Sequence, residues 1–177
     1  MEKLTFNHEN NIGKGDFTQN IIDQLEEREY TVEEINTDKP WGAYIRLAND
    51  DAEHFIKEFF PGLTLKEAQL NIEGAELSPK ILITSPEQRL SWQMHHRRAE
   101  RWTFLTSGGY HKSSTDEQGE LNIAHPGDVV QFMQGERHRL VGLKDNYTVV
   151  AEIWQHVDPK NPSDEDDIIR LQDDYIR

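Results

Sequence analysis

Apolar positions follow two different periods along the chain. In the first part they recur at helical spacing. In "GDFTQNIIDQLEER", Phe17, Ile21 and Leu25 stand four apart, with Asp16 as the expected cap and Gln19 three residues later. "YTVEEIN" reads as a strand, and "KPWGAY" is an aromatic pair punctuated by Pro40 and Gly42. "DDAEHFIKEFF" predicts a short helix stopped by Pro61-Gly62, and "LTLKEAQLN" a further helical turn with Thr64 and Glu67 as a capping box. From about residue 79 the period shortens. "PKILIT", "RLSWQMH", "RWTFLTSG", "ELNIA", "GDVVQFMQ", "RHRLVGL" and "YTVVAEIW" are short apolar or alternating runs between Gly, Pro, Asn and Asp turn signals, the pattern of a β-sandwich or β-barrel. The tail "SDEDDIIRLQDDYIR" reads as a last helix, capped by Ser163 with carboxylates in its first turn. The expected class is therefore mainly β. An N-terminal helix-and-strand extension (1–75) packs on a barrel with a C-terminal helix (76–177).

Composition narrows the setting. A chain of 177 residues can bury a real core, and no apolar run approaches the ~20 residues of a membrane span. The N-terminus lacks the apolar stretch of a secretion signal, and there are no cysteines for disulfides or thiolate ligands, so a cytoplasmic protein is expected. A net charge of −14 argues against nucleic acid as a partner. Yet Arg89, Arg97, Arg98, Arg101, Arg137 and Arg139 fall in two short segments. They either balance an acidic surface or create a local positive field around a pocket for an anion. Their position beside the candidate ligands favours the pocket.

Alternation supplies those ligands. Along a strand Gln93 and His95 share a face, with Trp92 and Met94 on the other. Glu100 lies five beyond His95, within reach of a tight turn, and Trp102 and Phe104 share its parity as cavity walls. Far along the chain, His138 follows Gly127 and Gly135. One amide oxygen, two imidazoles and one carboxylate suit a borderline divalent ion such as zinc, and nickel, cobalt, manganese or iron accept the same set. The alternative is a barrel in which His95 and His138 are hydrogen-bonded core residues.

These residues resemble the two cupin motifs. Gln93-x-His95-x4-Glu100 with Gly108 is similar to G-x5-H-x-H-x3-4-E-x6-G, and Gly127, Gly135 and His138 are similar to G-x5-P-x-G-x2-H-x3-N. The departures are Gln93 for the first histidine, one extra residue before Gly108, Met133 for the proline and Gly142 for the asparagine. "LSWQMHHRRAERW" further resembles the "LSLQMHHHRAEHW" stretch of type II mannose-6-phosphate isomerases. "HRL", "DEDDIIRLQDDYIR" and "KPWGAY" resemble that family's "HRL", "GEDDIVRFEDIYGR" and "RPWGWY". The matches span residues 39–177, leaving 1–38 and 48–75 without a counterpart. The nucleotidyltransferase domain of bifunctional members has none here either, so sugar-nucleotide synthesis is not expected.

The resemblance implies a cupin double-stranded β-helix (jelly-roll barrel) and metal-dependent aldose–ketose isomerisation, of mannose 6-phosphate to fructose 6-phosphate, through an enediol. It implies Gln93, His95, Glu100 and His138 as metal ligands. The base that moves a proton between C1 and C2 is left among Glu100, Glu152 and His96, the last with the wrong strand parity. Glu152, a carboxylate on the apolar run "VVAEIW", matches a family glutamate near the barrel's end. Arg98 matches the "HRAE" arginine, and Arg139 follows His138. Either can hold a phosphate, or form an ordinary strand-edge salt bridge. Arg139 is also a candidate catalytic residue. Lys39 and Trp41 close one end of the barrel, Lys39 as a substrate contact and Trp41 as packing. His8, His54, His111, His125 and His156 fit no ligand spacing. The competing functions are a non-catalytic cupin binding a sugar or small anion, an isomerase of a free sugar such as lyxose or mannose, and another metal-cupin chemistry such as a dioxygenase. A homodimer is expected, because exposed sheet edges need cover.

Overall fold

The computed structural model of the chain describes residues 3–6 and 12–175. The helices and turns of the first part are α1 (Lys14–Glu27), a 3-10 turn (Asn49–Asp51), α2 (Ala52–Phe59) and α3 (Leu65–Ala68). The strands are β1 (Val32–Asn36), β2 (Gly42–Leu47), β3 (Lys80–Thr84), β4 (Trp92–Met94), β5 (Arg98–Phe104) and β6 (Gly108–Ser113). They continue as β7 (Asn122–Ala124), β8 (Val129–Phe132), β9 (Arg137–Val141), β10 (Thr148–His156) and β11 (Ile169–Gln172). Pairing is antiparallel throughout and gives a six-stranded sheet, β1-β2-β3-β10-β5-β8, and a five-stranded sheet, β11-β4-β9-β6-β7. The molecule is mainly β with a few helices, the two-sheet jelly-roll arrangement.

The larger sheet is buried on both faces at its centre, along β3 and β10. On its outer side, Ile45, Ile81, Ile83, Val149, Ala151 and Ile153 join Phe17, Ile21 and Leu25 of α1 and Phe55 and Ile56 of α2 in one apolar cluster. Each fully buried side chain of this size contributes roughly 1.5–3 kcal/mol. On the inner side, Leu82, Trp102, Phe104 and Val150 meet Phe132 and Leu140 in a second cluster. The first part of the chain thus supplies two strands to the larger sheet as well as the helices that cover it. No helix among the described residues is long and apolar enough to cross a membrane.

Three expectations about local structure are corrected. Helix α1 is capped by Gly13, which has no side chain to offer, and Asp16 sits in its first turn. "KPWGAY" opens a strand, β2, in which Gly42 lies so close to β3 that a Cβ there would stand 1.9 Å from the Ile83 carbonyl oxygen. The tail is not a helix. Its capping side chains are engaged elsewhere, Ser163 Oγ donating to the Asp167 carboxylate at 2.7 Å and the Ser163 N–H to His156 Nδ1 at 2.9 Å. The backbone beyond Ile168 instead pairs with β4, which otherwise would be a sheet edge. Strand β6, "GGYHKS", left no apolar signature because two glycines replace the side chains that would have carried it. A Cβ on Gly108 would meet Thr148 Cγ2 at 2.2 Å.

Candidate metal centre

His95, Glu100 and His138 converge inside the barrel. Gln93 in β4 and His138 in β9 are direct cross-strand partners. His95 follows β4, and a tight turn at 95–97 carries the chain from the smaller sheet to the larger, bringing Glu100 in β5 back over His95. That turn is held from outside: the Asp167 carboxylate accepts from the His96 and Arg97 N–H groups, each at 2.9 Å. The result places Glu100 Oε1 3.1 Å from His95 Nε2 and Glu100 Oε2 3.0 Å from His138 Nε2, with one ligand atom from each residue within 4.8 Å of the others. All three side chains are buried.

The proton positions make this trio unusual. His95 Nδ1 faces the Asp167 carbonyl and His138 Nδ1 the Glu136 carbonyl, and a carbonyl only accepts, so each Nδ1 carries the hydrogen. The Arg98 guanidinium, which only donates, lies 3.3 Å from His95 Nε2, so that nitrogen presents a lone pair. Burial lowers the pKa of His138 against the pull of Glu100. Burial also opposes charge on Glu100, but the positive charge that His95, Arg98 and His138 can carry, with Arg98 Nε donating at 2.8 Å, outweighs it and holds the carboxyl well below its ordinary range. Glu100 Oε2 and His138 Nε2 lie 3.0 Å apart, and neither has a hydrogen-bond partner among the described residues. A cation between them would satisfy both atoms, and a backbone carbonyl fixing each Nδ1–H is the usual support of a metal-binding histidine. The residues fit a divalent ion. Gln93 lines the same cavity, its Oε1 accepting from Ser91 Oγ at 2.7 Å.

The cavity beside the trio has a volume of about 110 Å³ and is lined by Lys39, Trp41, Tyr44, Lys80, Arg98 and Glu152, among others. Glu152 of β10 stands opposite both Trp102 and Lys80. It accepts from Trp102 Nε1 at 2.9 Å and Trp154 Nε1 at 3.2 Å. Burial, with the Glu100 charge nearby, pushes its carboxyl up to about 8. A cation held by Glu100 would offset the second cause. Arg98 is largely committed: beyond Glu100 it donates to Ser163 Oγ at 2.9 Å and to the Asp164 and Asp167 carbonyls at 3.1 and 3.3 Å.

Arg139 is not in the cavity. Next to His138 on the strand, it points to the opposite face, where it is fully buried. There it donates to Gln118 Oε1 at 3.0 Å and the Gln172 carbonyl at 3.1 Å, tying β9 to the tail. The expected catalytic and phosphate-binding roles of Arg139 are corrected accordingly. His96 is exposed and does not join the trio. His54 stacks on Tyr30, His111 bonds the Gly119 carbonyl, His125 is exposed and His156 accepts from Ser163, while His8 lies outside the described residues. The sequence reading overlooked Tyr44, Lys80, Trp154, Ser163, Glu165 and Asp167. A lysine in the apolar run "KILIT" carries the same signal that singled out Glu152. The tail residues were hidden by their reading as a helix.

Comparison with known proteins agrees with this arrangement. The family model described as mannose-6-phosphate isomerase C-terminal matches residues 68–173, more than half of the chain. No curated protein sequence matches it. Among solved structures, the capsular polysaccharide assembling protein CapF from Staphylococcus aureus is similar in fold. In one crystal structure the TM-score is 0.52 at 14% identity over 89% of this chain and 37% of that one. A second, in space group C2221, gives 0.51 at 14% identity over 78% and 34%. The chain thus spans about a third of the length of the CapF chains. A cupin 2 conserved barrel domain protein from Salinispora arenicola CNS-205 aligns at 18% identity and a TM-score of 0.46, over 70% of this chain and 82% of that one. On the extent of the family match, carried over the β-strands that build the trio and its cavity, the chain belongs to the mannose-6-phosphate isomerase C-terminal family.

Proposed function

We propose that the protein is a metal-dependent aldose–ketose isomerase acting on a sugar phosphate, with mannose 6-phosphate and fructose 6-phosphate as the pair. His95, Glu100 and His138, with Gln93 as the fourth donor, would hold the ion, and zinc suits that set. When bound, a divalent ion supplies Lewis-acid polarisation of the sugar carbonyl. The observation that carries the reading is the buried His–Glu–His trio whose Glu100 lines one cavity with Gln93 and Glu152, the last a carboxyl pushed up to about 8.

Glu152 is the proposed base. Ionised, it takes the proton from C2 of the aldose, the C–H pair becomes the C1–C2 double bond of an enediol, and the C1 oxygen takes up a proton that is made good when the C2 hydroxyl gives up its own as the ketone forms. The Glu152 acid then returns its proton at C1 as the ketone forms at C2, so no oxidant or reductant is consumed. A base with a pKa near the working pH is suited to both halves of that exchange. Trp102 and Trp154 N–H groups orient its oxygens, and Trp102, Phe132 and the ring of His138 pack edge and face to keep water out. Arg98 orients Glu100 and His95.

The test is metal analysis of the purified protein coupled to an isomerase assay on mannose 6-phosphate. His95→Ala is expected to lose metal and turnover together. Glu152→Gln should keep the metal and lose turnover. Activity retained in His95→Ala refutes the site assignment. One observation favours a second reading, a non-catalytic cupin that binds a sugar or small anion: Arg98 already bonds both Glu100 and His95, doing part of the work of an ion. Metal retained without turnover on a panel of aldose and ketose phosphates and free sugars would select it.

A further inference from the structure

Cations and aromatic rings alternate along the cavity wall. Lys39 Nζ lies 5.6 Å from the Tyr44 ring centroid, and Lys80 Nζ lies 5.9 Å from the same ring and 3.6 Å from that of Trp154. The Arg98 guanidinium carbon covers the Trp154 ring at 3.7 Å. Lys80 and Arg98 are the buried members of this ladder, and Arg98 is committed to Glu100. Ile81 and Ile83, the neighbours of Lys80, face the helix-covered core, and the Lys80 side chain enters the cavity between Tyr44 and Trp154.

A buried ammonium requires a counter-charge. Glu152 stands opposite Lys80 on β10, but its oxygens accept from the two tryptophans. The one carboxylate in ion-pair contact with Lys80, among the described residues, is Glu165, at 2.7 Å. The two partners differ sharply: the Lys80 side chain is 5% exposed and that of Glu165 is 67% exposed. Glu165 belongs to the segment between β10 and β11 and reaches into the cavity mouth from solvent. Lys39 and Arg170 line the same mouth, so cations outnumber ionised carboxylates there in a chain whose net charge is −14.

We propose that Lys80 anchors the anionic group of the ligand, and that the Glu165 carboxylate holds that subsite until the ligand displaces it. The group is an oxyanion, the phosphate monoester of a sugar phosphate or the carboxylate of a sugar acid. Displacement is easy from the Glu165 side, because a carboxylate already two-thirds exposed loses little on returning to water. The Tyr44 and Trp154 rings hold the Lys80 ammonium in place meanwhile. The proposal rests on the isomerase reading for the identity of the sugar but not for the charge of the ligand.

The experiment is isothermal titration of the full chain with inorganic phosphate, mannose 6-phosphate, glucuronate and mannose. Wild type is compared with Glu165→Gln and Lys80→Met. Removing the competing charge in Glu165→Gln is expected to tighten phosphate and mannose 6-phosphate about threefold to tenfold and leave mannose unchanged. Lys80→Met is expected to weaken the phosphorylated ligand about tenfold or more, the scale of one charge-assisted hydrogen bond, again with mannose unchanged. Glucuronate responding in place of phosphate assigns the subsite to a carboxylate. Phosphate affinity unchanged or weakened in Glu165→Gln overturns the proposal, and that exposed variant decides the matter even if Lys80→Met does not fold. Equal losses of mannose and mannose 6-phosphate in Lys80→Met overturn it too. Competition by phosphate without any turnover keeps the anion subsite and removes the isomerase. Turnover of mannose 6-phosphate unaffected by Lys80→Met does the reverse.

Discussion

Consecutive residues of β10 face two different solvents made of protein. Val149, Ala151 and Ile153 point to the side covered by α1 and α2, while Val150, Glu152 and Trp154 point into the barrel. Both faces are buried, and β3 repeats the contrast with Ile81 and Ile83 against Lys80 and Leu82. The outer face is hydrocarbon apart from Gln155, which bonds the Ala68 carbonyl, and it is held by area and close packing. The inner face carries Lys80, Glu100 and Glu152, and each is tolerated because a partner is built for it: Glu165, Arg98 and two indole N–H groups. Burial is thus not one condition. One face stabilises the molecule, and the other spends part of that stability on chemistry.

The largest expected effect falls on the inner face without touching stability. His138 stacks on Phe132 at 4.5 Å and its Nε2 has no hydrogen-bond partner among the described residues, so His138→Phe keeps the packing and removes an unsatisfied buried atom. Metal content and turnover should fall to background, while the melting temperature of the metal-stripped protein stays level or rises. A large drop in that temperature would show that the trio is a structural network. Phe55→Ala on the outer face should do the opposite. It is expected to cost about 3–5 kcal/mol in chemical denaturation and leave metal stoichiometry and turnover per folded molecule intact.

A smaller effect tests the bridge between the faces. Asp167 braces the turn at 95–97, and its carbonyl orients His95. Asp167→Ala should lower metal affinity roughly tenfold to a hundredfold, as lost support behind a ligand does, read by competition with a chelator. The smallest effect is a pH dependence. Burial opposes charge on Asp167, but hydrogen bonds from Ser163 and the His96 and Arg97 N–H groups prevail and lower its pKa. A depressed carboxyl adds stability above its unfolded pKa, and that stability is lost as pH falls through the folded value. The denaturation midpoint of the wild type should therefore decline below about pH 4, and that of Asp167→Ala should decline less steeply.

Much of this was legible in the residues. The spacing of Phe17, Ile21 and Leu25 marks α1, the Thr64–Glu67 box starts α3, and both halves of that box are present. Alternation brought Gln93, His95 and Glu100 to one interior and separated them from Trp92. The same rule, applied to its neighbour His138, sends Arg139 to the other face; there the motif resemblance overrode a signal already in the sequence. The tail was misread for a different reason. "DEDDIIRLQ" carries carboxylates that suit a helix start, and only the vacant edge of β4 makes a strand of it.

By itself the sequence determined most of the elements, the tail and β6 excepted, with the two-sided β texture and which neighbours share a face, because these depend on contacts within a few residues. Tertiary structure alone decided what each buried charge meets. Arg98 finds Ser163 across 65 positions and Lys80 finds Glu165 across 85, and a charge taken out of water is settled by whichever partner the fold delivers.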